Sequence, residues 1–226
     1  MRVASWNIHR GRGSLAPFRP DRIAAVLAAL DADLIALQEA QHFFARRRPM
    51  LAEASLAEAG LVPLRVVADQ QGWRSGVVLL RQDRLRRASA RGVPLGGWEP
   101  RGAICAEIDL GEGPFRLLAA HLSLTGARRA AQARLLLDAA FAPPALPVLL
   151  LGDLNEWRAQ GAALAVLAAR FDLPAPVPTF PAFRPCLALD RILASPSAML
   201  SGLRVHDTPA ARRASDHLPL VAEVTP

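Results

Sequence analysis

A layered α/β fold is what this sequence predicts, on three observations. Apolar runs of strand length recur along the chain, several nearly continuous in Val, Ile, Leu and Ala, as strands covered on both faces require. Amphipathic helical patterns separate many of them, and mixed strands and helices of this kind pack in layers. At 226 residues and 52% hydrophobic, with no Pro/Gly/Ser-rich linker, the chain suffices for one domain over residues 1–226.

The expected elements follow in chain order. Val3–Ile8 is a first strand. Pro20-Asp21-Arg22-Ile23 opens a helix, proline suiting its first turn, with Ile23, Val26, Leu27 and Leu30 on one face. Leu34–Leu37 is a second strand, Pro49–Ala59 a candidate helix, and Leu61–Ala68 and Gly76–Leu80 further strands. Ala103–Leu110 and Phe115–Leu122 come next, then a helix over Ala127–Phe141 and a strand at Val148–Leu151. Gln160–Ala169 is a candidate helix, and the proline-rich Asp172–Pro185 an irregular loop. Arg191–Ala194, Gly202–His206 and Leu218–Val224 close the chain as strands. No G-x-G-x-x-G turn or P-loop is present, so a dinucleotide or P-loop fold has no support. Gly11-Arg12-Gly13 reads instead as a mobile turn beside a site.

Composition narrows the setting. Met1 runs directly into the first strand, leaving no room for a secretory apolar region, and stretches such as Ala162–Ala169 are too short to span a bilayer. Cys105 and Cys186 lack metal-ligand spacing and form no disulfide framework. A soluble, cytoplasmic monomer without a transmembrane segment is the expectation. The net charge of +7 invites nucleic acid as a partner, yet all 27 basic residues are arginine, a coding bias that weakens the total as evidence. Arg46–Arg48 and Arg81–Arg91 read as solvated faces, and Arg204–Arg213 is a third concentration.

The chemistry lies where apolar runs end. Asn7 and His9 are two apart and share a face of the first strand, as do Asp153 and Asn155 after Val148–Leu151. Glu39 closes the run from Asp33, where a buried charge needs a partner or a metal. His121, Asp190 and the adjacent Asp216 and His217 stand at other strand ends. Oxygen donors of this kind suit Mg²⁺ or Mn²⁺ better than zinc, and a hard cation near a phosphate stabilises a leaving alkoxide. His217 can then bond a phosphoryl oxygen or carry a proton, with Asp190 orienting its ring. Each residue has a plainer reading: Asn7 as a turn residue, Glu39 or Asp216-His217 as caps, His121 as a satisfied core histidine, Asp153-Leu154-Asn155 as an Asx-turn, Asp190 paired with an arginine. Their joint occurrence at strand ends favours a site.

The motifs Ser5-Trp6-Asn7-Ile8-His9, Leu37-Gln38-Glu39, Ala120-His121-Leu122, Gly152-Asp153-Leu154-Asn155, Leu189-Asp190-Arg191-Ile192 and Ser215-Asp216-His217-Leu218-Pro219 resemble, in order, those of the endonuclease/exonuclease/phosphatase superfamily. The resemblance implies the deoxyribonuclease-I-like four-layer αββα sandwich, two central mixed sheets with helices outside. It implies Glu39 as principal metal ligand, with Asn7 and Asp216 in the metal shell or its hydrogen bonds. Asp153 would orient or deprotonate water, or protonate the leaving group, and Asn155 would contact the scissile phosphate. His217 with Asp190 would bind or protonate the phosphoryl group, and His121 would be a second phosphate-facing imidazole. Arg101, in Pro100-Arg101-Gly102-Ala103, is a further candidate for phosphate contact.

Departures qualify the resemblance. It has no tyrosine, unlike the apurinic-site nucleases. His121-Leu122-Ser123-Leu124, then Arg129 and Gln132, with Gly152-Asp153-Leu154-Asn155-Glu156-Trp157, look like a compact bacterial branch. Three functions are in play. The first is a nuclease or nucleic-acid phosphodiesterase, with Trp73, Trp98 and Trp157 as stacking surfaces. The second is a phosphodiesterase or phosphatase for a lipid headgroup or small phosphoester, with Leu95, Trp98 and Phe183 near a membrane. The third is a non-catalytic binding module. The phosphoester partner favoured is nucleic acid, by a small margin over lipid.

Overall fold

The structure, a computed structural model, describes residues 1–13, 18–41, 48–97 and 101–226. Trp98, Pro100, Arg46 and Arg47 lie outside the described residues. Eleven strands, β1 (Arg2–Asn7), β2 (Leu34–Gln38), β3 (Leu61–Pro63), β4 (Val77–Arg81), β5 (Arg87–Gly96), β6 (Arg101–Asp109), β7 (Pro114–His121), β8 (Val148–Asp153), β9 (Asp190–Ser195), β10 (Leu200–Val205) and β11 (Leu220–Val224), are described. They form two mixed sheets, one ordered β10-β11-β1-β2-β4-β3 and the other β5-β6-β7-β8-β9. β1 runs parallel to β2 and β7 parallel to β8, and the other pairs are antiparallel.

Period-2 alternation builds the layers. In β1, Ala4 and Trp6 face outward onto α1 (Pro20–Leu30) and α5 (Pro209–Ala214), with α2 (Glu53–Glu58) adding Leu56 to that core. In the second sheet Cys105, Leu118 and Leu150 face outward onto α3 (Gly126–Ala140) and α4 (Ala162–Leu167). Val3, Leu34, Leu117, Leu149 and Ile192 meet between the sheets. The result is the expected αββα sandwich, with an apolar core in each of its three interfaces. No helix among the described residues is long and apolar enough to cross a membrane.

Each sheet holds one parallel β-α-β unit, β1-α1-β2 and β7-α3-β8, with the crossover helix outside. Both parallel pairs run out at the same mouth of the sandwich. Asn7 and Asp153 end β1 and β8, His121 ends β7, and Glu39 follows β2. Asn7, His121 and Asp153 continue the inward-facing alternation, so the inter-sheet core changes from apolar to polar at the carboxyl ends of the parallel strands. Glu39 has the parity of the outward-facing Ile35 and Leu37, and its positive φ of 53° turns it toward Asn7 instead. Such an edge is where open α/β sheets bind ligands.

Several expected elements shift. The strand expected over Leu61–Ala68 ends at Pro63, whose missing N–H suits an edge position. The helix expected over Pro49–Ala59 contracts to α2. Two elements were not legible. β5 is an edge strand whose inward positions begin with Ala88, Ala90 and Gly92 and whose outward ones run from Arg87, Ser89 and Arg91 to the buried Val93 and Leu95. It occupies part of the segment read as a solvated arginine face. α5 occupies Pro209–Ala214 within the third arginine concentration, started by Pro209 and capped by Thr208, which accepts a bond from Ala211 N. The segment read as a mobile turn holds a short 3-10 turn over His9–Gly11, with Arg12 bridged to Phe18.

Trp73 is half-buried and packs against the second sheet, with Arg74 over its ring at 5.3 Å. A Cβ at Gly92 would sit 2.3 Å from its ring and one at Gly102 2.4 Å, so the indole lies directly on two strand glycines.

Candidate active site

Asp153 is the hub of the polar mouth. Its Oδ1 accepts a 2.9 Å bond from Asn155 N, closing the Asx-turn the sequence allows. Its Oδ2 accepts a 3.0 Å bond from Asn7 Nδ2, with His121 Nε2 at 3.4 Å and His217 Nε2 at 3.9 Å. The plain and functional readings of Asp153-Leu154-Asn155 therefore coexist: one carboxylate oxygen shapes the turn and the other faces the site. Burial works against this charge, but the two imidazoles, the Asn7 amide and the Asn155 N–H outweigh it and hold the carboxyl below its usual range.

Gly152 makes the hub possible. A Cβ there would lie 1.9 Å from the Ala120 carbonyl oxygen on the paired strand. The backbones of β7 and β8 thus approach closely one residue before His121 and Asp153.

The two imidazoles are driven in opposite directions. His217 Nδ1 lies 2.8 Å from Asp190 Oδ2, which also accepts the Thr179 hydroxyl. Phe180 packs on the ring at 4.8 Å between centroids, and Trp6 Nε1 donates to the His217 carbonyl at 2.9 Å. Burial disfavours the imidazolium, yet Asp190, Asp153 and Asp216 prevail and push His217 up to about 9. Burial pushes the Asp190 carboxyl up, and Asp153 adds to it, while His217 and Thr179 pull it down. The two groups therefore titrate as a pair across the 2.8 Å Nδ1–Oδ2 contact.

His121 is the converse. Arg101 Nη1 lies 2.6 Å from its Nδ1, and a guanidinium only donates, so Nδ1 accepts and the proton sits on Nε2, facing Asp153. Burial, with Arg101 adding to it, overrides the pull of Asp153 and lowers His121 to about 4.

These shifts give a direct prediction. In the metal-free protein, side-chain NMR should find His217 titrating near pH 9 and His121 near 4. Because the folded value of His217 exceeds the unfolded value of about 6.5, its contribution to stability is complete below that pH. It is lost as pH rises through about 9. Asp190→Asn should bring the His217 titration down, and an unmoved titration would contradict the pairing.

On the other side of Asn7 the carboxylates are partly open. Glu39, held at a positive φ of 53°, lies 3.5 Å from Asn7 Nδ2 and 3.4 Å from Arg10 Nε. Asp216 Oδ1 lies 3.7 Å from His9 Nδ1, while Asn7 Oδ1 accepts from His9 N at 3.0 Å. Ser215 Oγ donates to the Asn7 carbonyl at 2.7 Å, which ties the Asp216-His217 segment to the end of β1. Glu39, Asp216 and the Asn7 amide fit a hard divalent cation by chemistry: they are oxygen donors, part-exposed at the carboxylates, and Glu39 already has the cationic Arg10 against it. Among the described residues Asp153, Asp190 and His217 also bring ligand atoms within 4.8 Å of one another. In that buried trio Asp190 Oδ2 holds His217 Nδ1 and Asp153 Oδ2 holds Asn7, while Asp190 Oδ1 has no partner among the described residues, so it suits proton handling better than a hydrated ion.

The structure gathers Asn7, Glu39, His121, Asp153, Asn155, Asp190, Asp216 and His217 at one mouth, with His9 and Arg101 touching them. Asn155, at a φ of 51°, anchors Nδ2 on the Leu122 carbonyl at 2.9 Å. Trp157 lies at the rim, 47% exposed, with Arg158 over its ring at 5.5 Å. Asp190 bonds Thr179 and His217 rather than the neighbouring arginine. Thr179, Phe180 and Arg10 escaped sequence reading. The first two sit in the proline-rich loop, which carries no periodicity, and Arg10 was one arginine among many.

A mixed double sheet with carboxylates, imidazoles and an amide converging at the ends of its parallel strands defines a hydrolase of the deoxyribonuclease-I-like class. The chain belongs to the Endonuclease/Exonuclease/phosphatase family, which residues 4–217 match. Members of that family are in general divalent-metal-dependent hydrolases of phosphoester bonds. It is 31% identical over 163 residues to the uncharacterized protein YbhP of Escherichia coli K12, a match spanning 68% of this chain and 64% of that protein. An endonuclease/exonuclease/phosphatase structure from Bacteroides vulgatus is similar at TM-score 0.73 and 18% identity, over 99% of this chain and 97% of that one. Danio rerio TDP2 complexed with single strand DNA product gives 0.71 and 17%, over 98% and 97%. A Bacteroides thetaiotaomicron mannosyl-6-phosphatase gives 0.69 and 18%, over 99% of each chain.

Proposed function

We propose that this protein is a divalent-metal-dependent phosphodiesterase of nuclease type, hydrolysing its substrate by attack of water. The observation that carries the reading is the convergence on Asp153 Oδ2 of the Asn7 amide at 3.0 Å and the His121 and His217 Nε2 atoms at 3.4 and 3.9 Å. Phosphoryl transfer needs a group to receive the proton of water and cationic donors for the charge on phosphate.

Asp153 orients the water and takes its proton. The protonated His217, fixed through Nδ1 by Asp190, presents Nε2–H to a phosphoryl oxygen. Neutral His121 turns Nε2 toward Asp153 at 3.4 Å, with Arg101 fixing its tautomer. Asn155 uses one N–H on Leu122 and offers the other to the phosphate. Glu39, with Asn7 and Asp216, would hold Mg²⁺ or Mn²⁺, which supplies Lewis-acid stabilisation of negative charge on the phosphate and leaving oxygen. Arg10 and His9 lie against these carboxylates, at 3.4 Å from Glu39 and 3.7 Å from Asp216, and would be placed to meet an incoming phosphate.

Exposed Trp157 with Arg158 stacked on it favours a nucleic-acid strand, because stacking accepts any base. The relation to TDP2, bound to a single strand DNA product, supports the same choice. A small phosphoester is the second reading, favoured by the equal extent of the fold shared with the mannosyl-6-phosphatase.

The test is a panel of single-stranded DNA, duplex DNA, RNA, a sugar phosphate and phospholipid vesicles, each with Mg²⁺ or Mn²⁺. Cleavage of a nucleic acid that weakens on Trp157→Ala is the expected result. Release of phosphate from the sugar phosphate alone would replace the nuclease reading by the second one. Turnover of the vesicles alone would sink both.

A further inference from the structure

Behind the second sheet lies a buried charge pair that the proposed chemistry does not use. Arg129, on α3, directs Nη2 and Nε to Glu156 Oε2 at 3.0 and 3.3 Å, and both side chains are almost wholly buried. The same guanidinium donates through Nη1 to the Leu124 carbonyl at 2.6 Å, with the Ser123 carbonyl at 3.4 Å. One turn further on, Gln132 Oε1 accepts from Ser123 N at 2.8 Å and Nε2 donates to Ser123 Oγ at 3.1 Å. A Cβ at Gly161 would sit 2.0 Å from the Glu156 carboxylate carbon, so the chain closes directly over the charge.

We propose that Arg129, Glu156 and Gln132 are positioning residues, a lock that sets the spacing between the loop after His121 and the loop carrying Asn155 and Trp157. The two loops meet again nearer the site, where Leu122 N donates to the Asp153 carbonyl and Asn155 Nδ2 to the Leu122 carbonyl, both at 2.9 Å. One arginine therefore spans two backbones whose separation decides where His121 and Asn155 stand. Stability gives little reason for such a pair, since apolar residues of similar volume often serve as well in a buried position. What an apolar pair cannot do is grip two carbonyls and a carboxylate at fixed angles. A misplacement of about 1 Å at a reacting group is worth roughly a hundredfold in rate.

The inference rests on the hydrolase reading for its kinetic arm only. The test is the double variant Arg129→Met/Glu156→Met, with Gln132→Met beside it. It is assayed on bis-p-nitrophenyl phosphate with Mn²⁺ and, separately, by amide hydrogen exchange without substrate. The lock predicts a folded double variant whose kcat falls about ten- to a hundredfold with KM changed less than about twofold. Exchange should quicken at residues 123–124 and 155–158 and stay unchanged in the sheets. A folded double variant with wild-type kcat and wild-type exchange would overturn it. Should the double variant not fold, Glu156→Gln, which keeps the shape and drops the charge, must still show quicker exchange in both loops, and protection equal to wild type overturns the proposal. Wild-type protein without turnover would sink the hydrolase reading alone, because the exchange arm decides the lock independently.

Discussion

Asp153→Asn should lower kcat on a phosphodiester by roughly 10²–10⁴-fold, the range for loss of a general acid–base group. The reason is specific to this site. An amide at position 153 can still accept the Asn155 N–H, so the turn survives. With its oxygen kept there, the amide presents an NH2 to the Asn7 N–H and the His121 Nε2–H, donors facing donors where the carboxylate accepted. The proton of water loses its destination. Loss of the negative charge also removes one of the groups holding the His217 proton, so the His217 titration should move down from about 9. Steady-state kinetics and histidine NMR on the same variant check both halves. A near-normal kcat would remove Asp153 from the chemistry, and an unmoved His217 would contradict its place beside that carboxylate.

Gly152→Ala should be among the most damaging substitutions at the described glycines. Its Cβ would lie 1.9 Å from the Ala120 carbonyl oxygen and 2.8 Å from the carbonyl carbon, and neither atom can rotate away. β7 and β8 must separate at the pair Ala120–Gly152, one residue before His121 and Asp153. Overpacking against backbone should cost about 3–5 kcal/mol, at or beyond the upper end for such changes. In a chain of this size that corresponds to a fall in Tm of roughly 10 °C, measurable by thermal unfolding. The remaining folded protein should also be nearly inactive, because the same displacement parts the hub from its imidazole. A Tm within about 2 °C of wild type would show that the close approach is not required.

Much of this was legible because the fold writes itself in strand ends. Polar residues such as Asn7, His121 and Asp153 cut off continuous apolar runs, and alternation holds as far as these last strand residues. The expected pairing of Asn7 with His9 and of Asp153 with Asn155 on an extended face does not hold, because His9 and Asn155 follow the strands at positive φ of 45° and 51°. The pairing of Asp190 with His217 could be anticipated from chemistry, although the residues come from different strand ends, since a buried imidazole needs an orienting acid. What the sequence withheld depends on tertiary context. β5 satisfies the alternation with alanine and glycine, small residues that carry weak apolar signal, because Trp73 fills the space above them. Thr179 and Phe180 reach His217 from a loop with no periodicity. Arg10 acquires meaning only once the turn at His9 and Arg10, both at positive φ, carries its guanidinium back to Glu39. Arg129 and Glu156 are separated by 27 positions, so their burial against each other is invisible until α3 packs on its sheet.

The claim at the centre is that the mouth of the sandwich is a metal-dependent phosphodiesterase with Glu39 as principal ligand. Hydrolysis of bis-p-nitrophenyl phosphate, followed against Mn²⁺ and Mg²⁺ concentration for wild type and Glu39→Ala with an EDTA blank, tests it most directly. Saturable, metal-dependent turnover by wild type, abolished by EDTA and lost in Glu39→Ala over the same metal range, is the predicted result. Turnover indifferent to EDTA, or a Glu39→Ala protein with the metal response of wild type, would contradict it.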